Sequence, residues 1–132
     1  MVRLAHLLTG SNAVAEDLVQ DVFVSLHGTV ERADNPRAYL RTAVVNRCRS
    51  YLRRSRLEDR HRRVEPRVEL PPDVDETWSA LAEIPERRRV ALVLRFYEDL
   101  SVAEIAELMD CRTGTVTSLI HRGLESMREV LS

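Results

Sequence analysis

The stretch "SVAEIAELMDCRTGTVTSLIHRG", residues 101–123, decides the fold class of the second half of the chain. Ser101 and Glu104 have the spacing of a capping box, which predicts the start of a short helix. Turn chemistry at residues 110–113 ends that helix, and apolar residues then recur at helical spacing in a second helix. Two short helices joined by a few residues, with the second amphipathic, are typical of a helix-turn-helix. The stripe expected to be buried in the second helix comprises Val116, Ile120, Leu124, Met127 and Leu131.

The start of this second helix is rich in hydroxyls and poor in charge. Residues 113–123 contain four hydroxyl side chains but a single arginine, Arg122. A surface with so little positive charge cannot hold a polyanion strongly by itself. Many helical hairpins share the pattern without touching DNA. If the helix reads DNA, most of the electrostatic affinity must come from elsewhere.

Positive charge is concentrated in one segment. All 20 basic residues are arginine, and the formal net charge of the 132-residue chain is −1. Residues 37–63 contain ten Arg and two acidic residues, whereas the segments before and after them are net negative. This asymmetry indicates an anionic partner for that segment alone.

The basic segment is expected to form a helix whose packing explains only its first half. Asn35 followed by Pro36 is the pattern of a helix start, and the helix is expected to run to about residue 62. Its apolar face fades after Leu52, while a stripe of arginines continues on roughly the opposite side. The apolar face comprises Leu40, Val44, Cys48 and Tyr51, and the stripe comprises Arg49, Arg53, Arg56, Arg60 and Arg63.

The sequence before this segment predicts two helices, the first ended by Gly10 and the second capped by Ser11. One face of the second helix is apolar and consists of Val14, Ala15, Leu18, Val19, Val22 and Leu26. The other face holds Asp17, Gln20, Asp21 and Val24, with Phe23 at its edge. Spacing alone fits an ordinary solvated face and a docking patch for another protein about equally well.

The two halves of the chain meet in a stretch with the composition of a linker. Residues 64–76, "VEPRVELPPDVDE", contain three prolines, which are typical of a linker. We expect a short helix over about 76–83 to follow it, with Trp78 as a candidate core residue of the domain. A further helix is expected to begin at Pro85. We therefore expect an all-α protein with two small helical domains, 1–63 and 77–132. The second domain contains the helix-turn-helix.

Several classes of function are disfavoured. Cys48 and Cys111 are far apart and the four His are scattered, so neither a metal site nor a cofactor is expected. No glycine-rich phosphate loop or nucleophile–base pairing is visible, which argues against an enzyme. No apolar run reaches membrane-spanning length and no signal peptide is visible, so a cytoplasmic protein without membrane contact is expected.

Four blocks of the sequence together resemble an extracytoplasmic-function (ECF) sigma factor, a small initiation subunit of bacterial RNA polymerase. They are "AEDLVQDVF" (15–23), "NPRAYLRTAVVNRCRSYLRR" (35–54), "LAEIPERRRVALVLRFYEDLSVAEIAELM" (81–109) and "TGTVTSLIHRGLESMREVL" (113–131). They occur in the family's order and cover nearly the whole chain.

The resemblance implies a division of roles. The basic helix would read and melt the −10 promoter element through Arg37, Tyr39, Arg41, Asn46, Arg49 and Arg53. The helix-turn-helix would read the −35 element through Arg112, Thr113, Thr115, Thr117, Ser118 and Arg122. The polymerase β′ coiled coil would contact Asp17, Gln20, Asp21, Phe23 and Val24. The resemblance also implies contact with the polymerase β flap and an inhibitory anti-sigma protein.

The chain departs from the family pattern at several positions. Thr117 and Leu119 stand where basic residues are frequent, Ser50 where Asp is common, and Tyr39 where Trp is common. The sequence also begins inside the family's first helix. Two alternatives therefore stay open: a stand-alone helix-turn-helix regulator, or a truncated paralogue that acts as an interaction protein.

Overall fold

The computed structural model describes residues 1–62 and 80–131, with side chains for 1–57 and 80–131. Within those ranges every regular element is helical, which confirms the all-α prediction. The chain divides into two compact units, residues 1–69 and 70–132. The predicted linker 64–76 lies outside the described residues. Trp78 and the predicted start of the helix that contains it lie outside them too.

Over its described residues, 1–62, the first unit contains three α-helices. They are α1 (Val2–Thr9), α2 (Asn12–Ser25) and α3 (Pro36–Arg62), with a 3-10 turn, Val30–Arg32, before α3. Gly10 ends α1 in a left-handed conformation, with a φ of 83°. Ser11 then caps α2, since its Oγ accepts a hydrogen bond of 3.3 Å from the Val14 N–H. Both predicted helix boundaries are confirmed.

The start of α3 is also as predicted. The Asn35 Oδ1 accepts a hydrogen bond of 3.2 Å from the Ala38 N–H, and Pro36 occupies the first helical position, where it has no N–H to leave unpaired. Val44 and Cys48 are fully buried, whereas Leu40 and Tyr51 are half-buried. The three helices share one core, which consists of Leu4, Ala5, Leu8, Ala15, Leu18, Val19, Val22, Val44, Val45, Cys48 and Leu52.

The second unit has a π-helical turn before the helix-turn-helix. Helix α4 (Glu86–Leu92) continues into one π-helical turn, Val93–Tyr97. The wider turn is closed by the Glu98 N–H, which donates to the Val93 carbonyl at 3.1 Å. Arg95 fixes the following connection, since its Nη1 donates to the Leu100 carbonyl at 3.2 Å.

The predicted capping box is formed at the start of α5 (Val102–Met109). The Glu104 N–H donates to Ser101 Oγ, and the Ser101 N–H donates to Glu104 Oε1, both at 3.1 Å. Asp110 ends α5 in a left-handed conformation, with a φ of 52°. That reversal leads directly into α6 (Thr113–Leu131), so the helix-turn-helix is confirmed.

The prediction of a continuous buried stripe along α6 is wrong for its C-terminal half. Val116 is fully buried and Ile120 and Met127 are half-buried, but Leu124 is 39% and Leu131 is 55% exposed. Helix α6 packs on both α4 and α5, and its 19 residues are many more than either neighbour has. Among the described residues, the last turns of α6 therefore have little to pack against.

Candidate nucleic-acid interface

The start of α6 presents most of the predicted −35 residues to solvent. Arg112, Thr113, Thr117, Ser118 and Arg122 are exposed, and Thr115 is half-buried. The Thr117 hydroxyl donates to the Thr113 carbonyl at 3.1 Å, so its proton is committed while its oxygen can still accept a hydrogen bond. The hydroxyl surface of this helix is thus accessible, but Thr117 is only an acceptor in this arrangement.

Sequence reasoning missed Gly114 on the same surface. Gly114, Ser118 and His121 follow at spacings of four and three residues, and all three are exposed. A Cβ on Gly114 would have no heavy atom within 4 Å, so the helix surface is open at this point. His121 lies 3.2 Å from Glu125 Oε1. Because the Glu125 carboxylate lies beside the imidazole of His121, this pair adds little net positive charge to the surface of α6.

A hydrogen-bond relay connects α4 to the middle of α6. The Arg88 Nη1 donates to Ser126 Oγ at 3.1 Å, and that hydroxyl donates to the Arg122 carbonyl at 2.9 Å. The relay ends on the backbone of a predicted DNA-binding residue. It therefore helps to hold the exposed face of α6 in a fixed orientation on its own unit.

Helix α3 brings three predicted −10 residues onto one stripe. Tyr39, Asn46 and Arg53 are seven residues apart and all exposed, so they lie in line along the helix. Tyr39 is 40% exposed, whereas Tyr51 is half-buried. Of these two tyrosines, Tyr39 is thus the one whose ring is open to stacking.

The other predicted −10 residues do not join this stripe. Arg37 is exposed in the first turn of α3, while Arg41 and Arg49 are half-buried. Three exposed residues that the sequence prediction omitted lie on the outward face instead, namely Arg47, Ser50 and Arg54. The side chain of Arg60, and Arg63 altogether, lie outside the described residues.

Helix α2 exposes polar and apolar side chains together. Asp17, Gln20 and Asp21 are exposed, Phe23 is 50% exposed and Val24 is 79% exposed. The packing of the first unit does not explain why two apolar side chains are in water, and such patches mark interaction sites. The docking patch on this face stays a prediction.

One ion pair joins this α2 surface to α3. The Arg47 Nη2 lies 3.2 Å from Asp21 Oδ2 and donates a hydrogen bond to it. No sequence pattern indicates this contact, because residues 21 and 47 meet only when the two helices pack.

The described residues offer little other chemistry. No group of three or more His, Cys, Asp or Glu among them is placed to hold a metal ion. Burial raises the pKa of the Cys48 thiol to about 12, which makes it a poor nucleophile. None of the described helices is long and apolar enough to cross a membrane.

Comparison with known families matches both halves of the chain. Residues 1–58 match the model of sigma-70 region 2. Residues 75–127 match the model of sigma-70, region 4.

Individual relatives agree with these matches. The RNA polymerase sigma-E factor of Streptomyces coelicolor is 30% identical over 99% of this chain and 79% of its own length. The ECF RNA polymerase sigma factor SigE of Mycolicibacterium smegmatis is 30% identical over 98% of this chain and 56% of its own length. The sigma factor RpoE, in its co-crystal structure with the anti-sigma factor NepR from Bartonella quintana, shares the fold with a TM-score of 0.76. It is 23% identical, over 98% of this chain and 88% of that one.

Proposed function

The chain belongs to the sigma-70 family of RNA polymerase sigma factors, and we propose how its residues divide the work of promoter recognition. It is an ECF sigma factor that directs core RNA polymerase to promoters in transcription initiation. The observation that carries this function is the match of region 2 and region 4 to successive parts of one chain. The family acts by binding, so the chain contributes no covalent chemistry and works in the cytoplasm, where promoters are transcribed.

The first unit captures unpaired DNA at the −10 element. The exposed stripe of Tyr39, Asn46 and Arg53 combines an aromatic ring, an amide and a guanidinium, and each base stacked on an aromatic contributes about 1–3 kcal/mol. A surface that binds single strands better than duplex favours the open promoter. Arg37, Arg41 and Arg49 add positive charge around the stripe.

The second unit reads the −35 element through the N-terminal part of α6. Short hydroxyl side chains and Arg122 face solvent there, and the positive end of the helix dipole favours a nearby phosphate. The low charge of this surface fits a reader that does not hold DNA alone. Most of the electrostatic affinity comes from α3 and from the polymerase.

Two exposed apolar surfaces bind the polymerase. Phe23 and Val24, with the acidic and amide groups of α2, contact the β′ coiled coil. A shallow depression at the end of α6 contacts the β flap, and it is lined by Leu124, Met127, Arg128 and Leu131. Because each surface presents apolar side chains on a helix, each suits docking of a partner helix.

An anti-sigma protein restrains the chain. Support comes from the RpoE relative of like fold, whose structure is a complex with the anti-sigma factor NepR. Affinity purification of the tagged chain from its own cells should recover a small partner whose removal increases transcription. Recovery of the chain only with polymerase under all growth conditions would contradict this restraint.

The decisive experiment is transcription in vitro with purified core polymerase and fragmented genomic DNA. Addition of the chain should produce transcripts that start at a defined set of promoters sharing −10 and −35 sequences. A footprint on palindromic duplex without polymerase would favour the stand-alone regulator instead. Binding to polymerase without any transcript would favour the truncated paralogue.

A further inference from the structure

The Asp21–Arg47 ion pair lies where the proposed polymerase surface meets the proposed DNA surface. Asp21 belongs to the outward face of α2, whereas Arg47 follows Asn46 on the outward side of α3. Each member of the pair therefore belongs to a surface with a different partner.

Both members of the pair are accessible to other ions. The Asp21 side chain is 60% exposed and the Arg47 side chain is 46% exposed. A pair this exposed contributes little to stability, because water and salt screen it. The Arg47 guanidinium can exchange the carboxylate for a phosphate, which it can bind with two parallel hydrogen bonds. The Asp21 carboxylate can likewise exchange Arg47 for a basic side chain of a protein partner.

The position of Arg47 on α3 suits contact with a nucleic-acid backbone. Arg47 and Arg54 are seven residues apart and both exposed, so they lie along one flank of the Tyr39–Asn46–Arg53 stripe. A strand whose bases lie on the stripe can extend its phosphates along that flank. Arg47 is therefore placed to add one phosphate contact to the strand, provided that Asp21 releases it.

We propose that Arg47 is a further promoter-phosphate contact, which Asp21 withholds in the free chain and releases when Asp21 binds polymerase. The inference rests on the proposed function. It makes the α2 surface and the α3 surface energetically coupled, and coupling of this kind is reciprocal. DNA bound at Arg47 therefore also frees Asp21 for polymerase.

The test measures the affinity of the full-length free chain for a labelled oligothymidylate, at several salt concentrations, in a double-mutant cycle of Asp21→Asn and Arg47→Gln. Asp21→Asn should tighten binding about two- to fivefold, the range set by an exposed ion pair. It should also steepen the salt dependence by about 0.7 in log–log slope, as one additional single-strand phosphate contact does. Neither change should occur when Arg47→Gln is already present.

Glu16→Gln is the matched control, because Glu16 is exposed on α2 and its replacement removes the same charge. The proposal is overturned if Asp21→Asn has no effect, if it acts equally in the Arg47→Gln background, or if Glu16→Gln matches it. Transcription by the wild-type chain with core polymerase is measured in parallel. Its failure would reject the proposed function, whereas normal transcription without coupling would reject only the role of this pair.

Discussion

Gly123 of α6 lies directly against the side chain of Leu92 at the end of α4. A Cβ on Gly123 would be 2.9 Å from both Cγ and Cδ1 of Leu92. Leu92 is only 5% exposed, so its side chain has little free space into which it can turn. The missing side chain at Gly123 therefore allows the two helices to approach closely.

We expect Gly123→Ala to lower the free energy of unfolding of the second unit by about 1–2 kcal/mol. The steric conflict with Leu92 opposes the gain in helix propensity, which is about 1 kcal/mol for Gly to Ala. Gly114→Ala is the matched control, because a Cβ there meets no heavy atom within 4 Å. Denaturant unfolding of both variants should show a loss for Gly123→Ala and no loss for Gly114→Ala. Equal behaviour of the two would mean that Leu92 rearranges without cost.

The sequence predicted the features whose physical causes are local. The cap at Ser11, the start at Asn35–Pro36 and the Ser101–Glu104 capping box each depend on residues within one helical turn. The family blocks added the order of the elements. These signals placed the helix-turn-helix and the exposed start of α6 correctly.

Features that depend on packing between helices were missed. The spacing of Leu124 and Leu131 shows that they share a face with Val116, but not that both side chains stay exposed once the helices pack. The roles of Gly123 and Arg47 likewise require knowledge of which helices meet. Among the predicted −10 residues, Tyr39 and Asn46 are exposed, as contact with DNA requires, whereas the half-buried positions of Arg41 and Arg49 became clear only from the fold.

Cys48 provides a pH-dependent probe of the first unit. Burial raises the pKa of its thiol from 9.0 to about 12. Below pH 9 the thiol is protonated in both the folded and unfolded states, so its contribution to stability is fully present. Above that pH the unfolded chain loses the proton first, and stability falls as the pH rises toward 12. Unfolding curves measured across this range should show that the free energy of unfolding falls more steeply with pH for the wild-type chain than for Cys48→Ala.

The same burial predicts the order of thiol modification. Cys111 is half-buried and Cys48 is buried. An alkylating reagent at pH 8 should therefore label Cys111 in the native protein and Cys48 only after unfolding, as mass spectrometry of peptides can measure. Rapid native labelling of Cys48 would show that the core of the first unit opens readily.

Tyr39 should contribute to open-promoter formation through its ring rather than its hydroxyl. Tyr39→Ala should weaken capture of the unpaired strand by about 1–3 kcal/mol, whereas Tyr39→Phe should retain most of the activity. Tyr51→Ala is the contrasting variant, since Tyr51 is half-buried and its loss should lower the melting temperature. Permanganate footprinting with core polymerase measures strand opening directly. A defect in Tyr39→Phe as large as that in Tyr39→Ala would assign the role to the hydroxyl.

Arg122 and Arg112 should affect promoter choice differently. Arg122 is exposed and four residues after Ser118, on the outward face of α6, whereas Arg112 precedes the first helical residue. We expect Arg122→Ala to cost about 1–3 kcal/mol at one base position of the −35 element and to relax the preference there. Arg112→Ala should weaken all promoters about equally and reduce the salt dependence by about one unit of slope, as loss of a phosphate contact does. Transcription from a library of −35 variants distinguishes the two results.

Arg128→Ala is the matched control, since it removes the same charge near the other end of α6 and should leave base preference unchanged. Uniform weakening by Arg122→Ala would mean that Arg122, too, contacts only the DNA backbone.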